Sequence, residues 1–338
     1  MNPDLPELAE LQALIADAGP RLRARVLCES RAGARRFPVH ALSLGSDDPA
    51  APAVGFFGGV HGLERIGAEV VLAYLRSLIR RLAWDTVLQQ QLRSLRLVFM
   101  PLVNPAGLWL GTRANGSGVD LMRNAPVEAR EPVPFLIGGQ RYSPRLPWYR
   151  GDEGASMQAE SAALCALVEE ELIGRRAFSL AIDCHSGFGT RDRLWFPYAH
   201  TTKPIEHLPE LYALHRIFEQ SHVHHQYVFE PQSLQYLTHG DLWDHLYLRA
   251  QQERPRSFLP LTLEMGSWLW IKKNPRQLFS RYGIFNPLIR HRQQRVMRRH
   301  IALLDFFTRA ASSHAEWLPT AADRESQREQ ALKLWYRS

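Results

Sequence analysis

The sequence predicts an α/β protein, a three-layer α/β/α sandwich around a mixed, mostly parallel central sheet. Three observations carry that expectation. Near-continuous apolar runs at 54–58, 178–182 and 258–263 have the composition of strands buried on both faces. Segments with apolar residues at helical spacing separate them, the alternation expected when helices cover a sheet. No internal repeat, low-complexity tract or linker divides the 338 residues. The chain therefore reads as one domain: residues 1–50 supply a lead-in helix and strands, 51–310 the main body and 311–338 a polar tail.

Composition narrows the class without settling it. An apolar share of 45% with 22% charged residues is that of a globular protein with a sizeable core. The balance of 41 Lys+Arg against 34 Asp+Glu gives a net +7 spread along the chain, compatible with an acidic small substrate or a nucleic acid. Cys28, Cys165 and Cys184 are odd in number and widely spaced, which excludes a disulfide framework and a C-x-x-C zinc site. The stretch Met1–Glu7 lacks the charged-then-apolar pattern of a signal peptide. No apolar run approaches the ~18 residues of a membrane span, so the expected address is the cytoplasm.

In chain order, residues 4–18 carry Leu8, Leu11, Leu14 and Ile15 at helical spacing, while 23–28 and 37–44 alternate as strands do. The breaker Gly45-Ser46-Asp47-Asp48-Pro49 precedes the first buried strand, which stops at Gly58-Gly59. A helix is predicted over 66–82, a strand over 95–100, and then an irregular stretch from Leu108 to about Arg150, of a length that is usually functional. Further helices are predicted over 153–172, 208–219, 240–252 and 288–307, with strands over 178–185, 194–198 and 258–264.

Three of the buried strands end on groups able to hold a metal or move a proton. His61 follows the Gly-Gly turn with Glu64 three residues on, His185 ends the strand 178–185, and Glu264 ends 258–264. In a mainly parallel sheet those ends share one edge, where α/β proteins place their ligands. Two imidazoles and a carboxylate suit Zn²⁺, whose catalytic sites take three protein ligands and keep one position open. Each residue alone has a plain structural explanation; the four in this order argue for one site.

With those residues in view, the chain resembles the zinc carboxypeptidase family, the carboxypeptidase A-like metallopeptidases, over about residues 50–310. The resemblance implies one Zn²⁺ held by His61, Glu64 and His185, with Glu264 as general base. Asn104-Pro105-Ala106-Gly107 is similar to the family's N-P-x-G turn, and Gly118-Val119-Asp120-Leu121-Met122-Arg123-Asn124 to its G-V-D-L-N-R-N segment. It thereby implies that Asp120 orients the first zinc histidine, that Arg123 holds a substrate carboxylate, and that Arg113 polarises the scissile carbonyl. Asn104 and Tyr236 are implied as further substrate-binding residues. The sequence departs from the pattern at Met122, which stands where the family usually has asparagine and cannot donate a hydrogen bond to a carboxylate.

The implied activity is zinc-dependent hydrolysis of a peptide or amide bond in a substrate carrying a carboxylate, with water activated by zinc and Glu264. Two alternatives stand beside it. One is an N-acyl amino acid deacylase of the succinylglutamate desuccinylase and aspartoacylase type, which shares the zinc motif but typically adds a β-rich C-terminal domain. The other is a non-catalytic zinc-binding protein on the same fold. His222, His224 and His225 read as a solvated loop rather than a second metal site. The basic run from Arg290 to Arg299 lacks interleaved aromatics and reads as a solvated helix face, so no nucleic-acid partner is expected.

Overall fold

The computed structural model describes residues 5–253 and 257–336; Asp4, which opens the expected first helix, and the last two residues of the expected tail lie outside the described residues. The strands are β1 (Arg23–Ala32), β2 (Arg35–Gly45), β3 (Ala53–Gly58), β4 (Arg96–Met100), β5 (Phe178–Ser186), β6 (Arg193–Phe196), β7 (Val228–Pro231) and β8 (Ser257–Met265). They form one eight-stranded sheet in the order β1-β2-β4-β3-β5-β8-β6-β7. β3 pairs in parallel with β4 and β5, β5 with β8, and β6 with β7. The antiparallel pairs are β1 with β2, β2 with β4 and β6 with β8. The sheet is thus mixed and mostly parallel. From β3 the chain goes first to β4 on one side and then to β5 on the other, which makes the carboxyl end of β3 a topological switch point.

The helices are α1 (Pro6–Ala18), α2 (Arg65–Arg81), α3 (Thr86–Leu92), α4 (Pro105–Leu110), α5 (Ala159–Val168), α6 (Leu208–Ser221), α7 (Leu242–Glu253), α8 (Trp268–Lys273), α9 (Arg290–Ser312), α10 (His314–Trp317) and α11 (Arg324–Trp335). Every residue of β3 and β5 is buried, so both faces of the sheet centre are covered. Two glycines on β3 show what covers them. A Cβ on Gly55 would stand 2.6 Å from Leu172, in the turn that continues α5. One on Gly58 would stand 3.0 Å from Ala68 of α2. Residues three apart on a strand point to opposite faces, so α2 and the end of α5 lie on opposite sides. α9 packs on α2, where the Tyr74 and Thr308 hydroxyls hydrogen-bond at 2.7 Å, and α7 packs on α5. The result is a helix–sheet–helix sandwich.

Local chemistry explains where expectation and structure part. α3 was not expected because only Leu88 and Leu92 of its seven residues are buried; the Asp85 carboxylate starts it by accepting the N–H of Leu88 at 3.0 Å. The helix expected from 153 begins at Ala159, since the Asn124 side chain accepts the N–H of Gln158 at 2.6 Å and pins extended backbone there. The polar tail expected over 311–338 is largely helical. α9 runs on to Ser312, and α11 lies on α6 with Arg324 paired to Glu210. Trp335 is buried edge-on to Phe196 at 4.9 Å, and its Nε1 donates to the Phe229 carbonyl at 2.8 Å. Ala331 and Trp335 alone are buried in α11, too few to lift a polar sequence into view.

Two buried histidines give the fold a pH dependence. Burial pushes His207 and His300 down to about 4. Their folded-state values lie below the unfolded ~6.5, so between pH 6.5 and 4 the unfolded chain takes up protons that the folded one refuses. Stability contributed by each therefore falls as pH drops through that window, by on the order of 3 kcal/mol. Glu69 and Asp241, which burial pushes up to about 7, act in the opposite sense. The check is a comparison: denaturant midpoints of His300→Gln should change less steeply from pH 6.5 to 4 than those of the wild type. Equal slopes would show that His300 does not titrate differently in the two states.

Candidate active site

The site is built at the switch point. β3 ends in a left-handed turn at Gly59 (φ 65°), which carries the chain to His61, and Glu64 stands immediately before α2. Gly62 between them passes so close to the first turn of α4 that a Cβ would lie 1.9 Å from the Gly107 carbonyl carbon. No other residue fits without moving a backbone. On β5 and β8 the register places His185 directly opposite Glu264. His61, Glu64, His185 and Glu264 are all buried and line one cavity of about 680 Å³.

The ligand geometry is tight. His61 Nδ1 lies 3.0 Å from Glu64 Oε1 and 3.3 Å from His185 Nδ1, which in turn lies 3.1 Å from Glu64 Oε2. The outer nitrogens are also engaged: His61 Nε2 meets Asp120 Oδ1 at 3.0 Å and His185 Nε2 meets Asp183 Oδ2 at 2.6 Å. A carboxylate facing each Nε2 sets that nitrogen as the N–H donor and turns the Nδ1 lone pair of the neutral ring inwards. Two lone pairs and the Glu64 carboxylate then face one another, with donor atoms all within 4.8 Å. Three electron-rich groups so disposed repel unless a cation sits among them, and two imidazoles with one carboxylate are a donor set for zinc. The residues therefore fit the metal.

The charges around this centre are ordered. Burial opposes ionisation of Glu64, but with no cation among them the His61 and His185 rings in their protonated form outweigh it and hold the carboxyl low. Burial likewise opposes ionisation of Asp120, and Arg113 with His61 holds it well below the usual carboxylate range. Arg113 Nε donates to Asp120 Oδ2 at 2.8 Å and its Nη1 to Glu64 Oε1 at 3.2 Å. Glu264 is the exception. Burial, then repulsion from Glu64, pushes it up to about 8, while its Oε1 accepts the N–H of Phe188 at 3.0 Å.

The expected substrate residues divide. Arg123 and Tyr236 line the cavity with Arg113 and Met122. Arg123 is 3% exposed, yet it makes no ion pair among the described residues. Its Nε donates to the Ile137 carbonyl at 3.2 Å and its Nη1 to the Met122 carbonyl at 3.3 Å. Burial raises the Tyr236 phenol, whose ring packs on Trp195 at 6.0 Å and Phe188 at 5.9 Å. Asn104 lies apart from them. It is fully buried, its Oδ1 caps α4 by accepting the N–H of Gly107 at 2.8 Å, and its Nδ2 donates to the Val60 carbonyl at 3.1 Å. Its polar atoms hold the two loops together, and it does not line the cavity.

Asp183 was missed, although its signal was present. It lies two residues before His185 on β5, and side chains at i and i+2 of a strand share a face. Besides His185 it accepts Trp243 Nε1 at 2.9 Å. The Asp183→Asn protein is expected to bind zinc about 10–100-fold more weakly, the usual loss when a carboxylate behind a ligand is removed. Competition with a chelator measures it, and unchanged affinity would assign Asp183 to packing alone. The His222–His225 stretch forms no metal group; among the described residues the arranged cluster is His61, Glu64 and His185.

Comparison with known proteins agrees with this geometry. A sequence profile described as Zinc carboxypeptidase matches residues 21–266. Carboxypeptidase SOL1 of Arabidopsis thaliana is 33% identical over 94 residues, 27% of this chain and 19% of that protein, so the match spans about a fifth of the relative. Among solved structures, bovine thrombin-activatable fibrinolysis inhibitor, in complex with tick carboxypeptidase inhibitor, superposes with a TM-score of 0.66 at 17% identity, covering 91% of this chain and 97% of that one. Carboxypeptidase A from Helicoverpa armigera gives 0.58 at 15% identity, over 87% and 71% of the two chains. At those identities the structural likeness is one of fold, whereas the profile covers most of the sequence. The chain belongs to the zinc carboxypeptidase family.

Proposed function

We propose that the protein is a zinc-dependent hydrolase of peptide or amide bonds, metallocarboxypeptidase-like, acting on substrates that carry a carboxylate. One observation carries the proposal. A cation-ready His61–Glu64–His185 cluster, a buried carboxyl at Glu264 and an Arg123 guanidinium without an acidic partner line the same cavity.

His61, Glu64 and His185 would hold the zinc. When bound, it supplies Lewis acidity, polarising a carbonyl oxygen and acidifying water. This chain's residues do the rest. Arg123 pairs bidentately with the substrate carboxylate and so orients the scissile amide. Its planar fork does this without a neighbouring amide, which Met122 does not provide. Glu264, with Oε1 held by Phe188, takes the proton of the attacking water and delivers it to the leaving nitrogen. A carboxyl pushed up to about 8 is basic enough for the first transfer and acidic enough for the second. A cation on Glu64 cancels part of the repulsion that raises it. Arg113, fixed by Asp120, adds positive charge where the oxyanion develops.

The test is metal content and hydrolysis together, for wild type and His61→Ala. About one zinc per chain, lost in the variant along with turnover of peptide or N-acyl amino acid substrates, is the expected result. A wild type that remains metal-free when zinc is supplied would overturn the proposal. Stoichiometric zinc with no turnover of either panel would favour the non-catalytic alternative.

A further inference from the structure

A second cavity shares no lining residue with the one that holds His61 and Glu264. It measures about 1020 Å³, and the basic face of α9 forms one wall. His291, Arg292, Arg295, Val296, Arg299 and His300 line it, a single stripe at helical spacing. Facing the stripe are Arg191 in the loop after β5, Lys273 at the end of α8, and the segment leading into β7. In sequence the run Arg290–Arg299 looked like a solvated helix face. The fold turns it into a concave surface.

The charge in the cavity is unbalanced. Two carboxylates line it, and both are engaged. Asp192 accepts the N–H of Gly266 at 2.9 Å and pairs with Arg299 at 2.5 Å. Glu219 is held by His215 at 3.2 Å and His225 at 2.9 Å. Arg292 is positioned by its bonds to the Trp270 carbonyl at 3.1 Å and the Lys273 carbonyl at 3.5 Å. Arg191, Lys273 and Arg295 make no ion pair among the described residues, and they come from three separate segments. All three are exposed to solvent, and their convergence in one concavity concentrates positive potential there.

We infer that this cavity is a binding site for a small multivalent oxyanion bearing at least two phosphate or carboxylate groups. Three unpaired cations on separate segments cannot all be satisfied by one monovalent group. The volume lies near the upper end of small-molecule sites, roughly 300–1,000 Å³. Its aromatic members, Tyr227 and Trp270, are buried and offer no stacking platform for bases, which argues against a nucleic-acid strand. The inference concerns a second site, and its test reads binding rather than turnover, so it is independent of the reaction at Glu264.

Isothermal titration calorimetry on the whole chain tests it, with sodium tripolyphosphate and sodium citrate as probes. The expected result is saturable binding of at least one probe near one per chain, weakening as salt is raised. The double variant Arg191→Glu/Arg295→Glu should weaken it about tenfold or more, as expected for loss of charge-assisted contacts. The control Arg290→Glu/Arg298→Glu makes the same charge change on residues of α9 that do not line the cavity, and should leave affinity within about twofold. Arg191→Gln/Arg295→Gln, without reversed charge, should fall between. Tighter tripolyphosphate assigns a phosphate ligand and tighter citrate a carboxylate one; either supports the site. No saturable binding of either probe, or equal weakening in both charge-reversed pairs, would overturn it.

Discussion

The Glu264→Gln enzyme is expected to bind zinc as the wild type does and to lose about 10²–10⁴-fold in turnover, the span for a positioned general base. Glutamine matches glutamate in shape, and its carbonyl oxygen can still accept the Phe188 N–H that holds Oε1 at 3.0 Å. What disappears is the basic oxygen. Because His61, Glu64 and His185 are untouched, metal content separates loss of the base from loss of the site. Turnover within a few-fold of wild type, with zinc bound, would remove Glu264 from proton transfer.

The second large effect is expected at Arg123. Its guanidinium is buried, hydrogen-bonds to backbone carbonyls and to the Tyr236 side chain, and makes no ion pair among the described residues, so its charge is left for a ligand. Arg123→Leu should lower kcat/KM on substrates with a free carboxylate by about 10²-fold or more, since truncating one side of a buried charge pair costs ~2–5 kcal/mol. The same substrates amidated at that carboxylate should be hydrolysed by wild type and variant at similar, low rates. A parallel loss on both substrate forms would point to a structural role for Arg123 and would sink carboxylate recognition there. With methionine at 122, the discrimination rests more heavily on this one side chain.

Much of this protein was legible before any coordinates, and for a local reason. The buried strands are apolar runs that end abruptly, and the residues ending them are polar where an apolar residue would be cheaper to bury. His61, Glu64, His185 and Glu264 stood out for that reason, and the parallel register of β5 and β8 brings the last two side by side. Short elements with few apolar positions were not legible. α3 rests on one capping aspartate, and α11 on Trp335 reaching Phe196 and Phe229, contacts more than a hundred residues apart in sequence.

Residue types at strand ends, spaced by turns that only glycine allows, were enough to indicate that His61, Glu64, His185 and Glu264 gather at one place, because side-chain direction there follows from strand geometry. Tertiary structure decided the partners. It directs both Nδ1 lone pairs inward by placing Asp120 and Asp183 behind the rings, engages the Asn104 amide in joining two loops, and leaves Arg123 without an acid. It also bends the basic face of α9 into a cavity. Hydrogen bonds and charge pairing depend on atoms meeting within about 3 Å, and for residues far apart in the chain only the folded packing sets those distances.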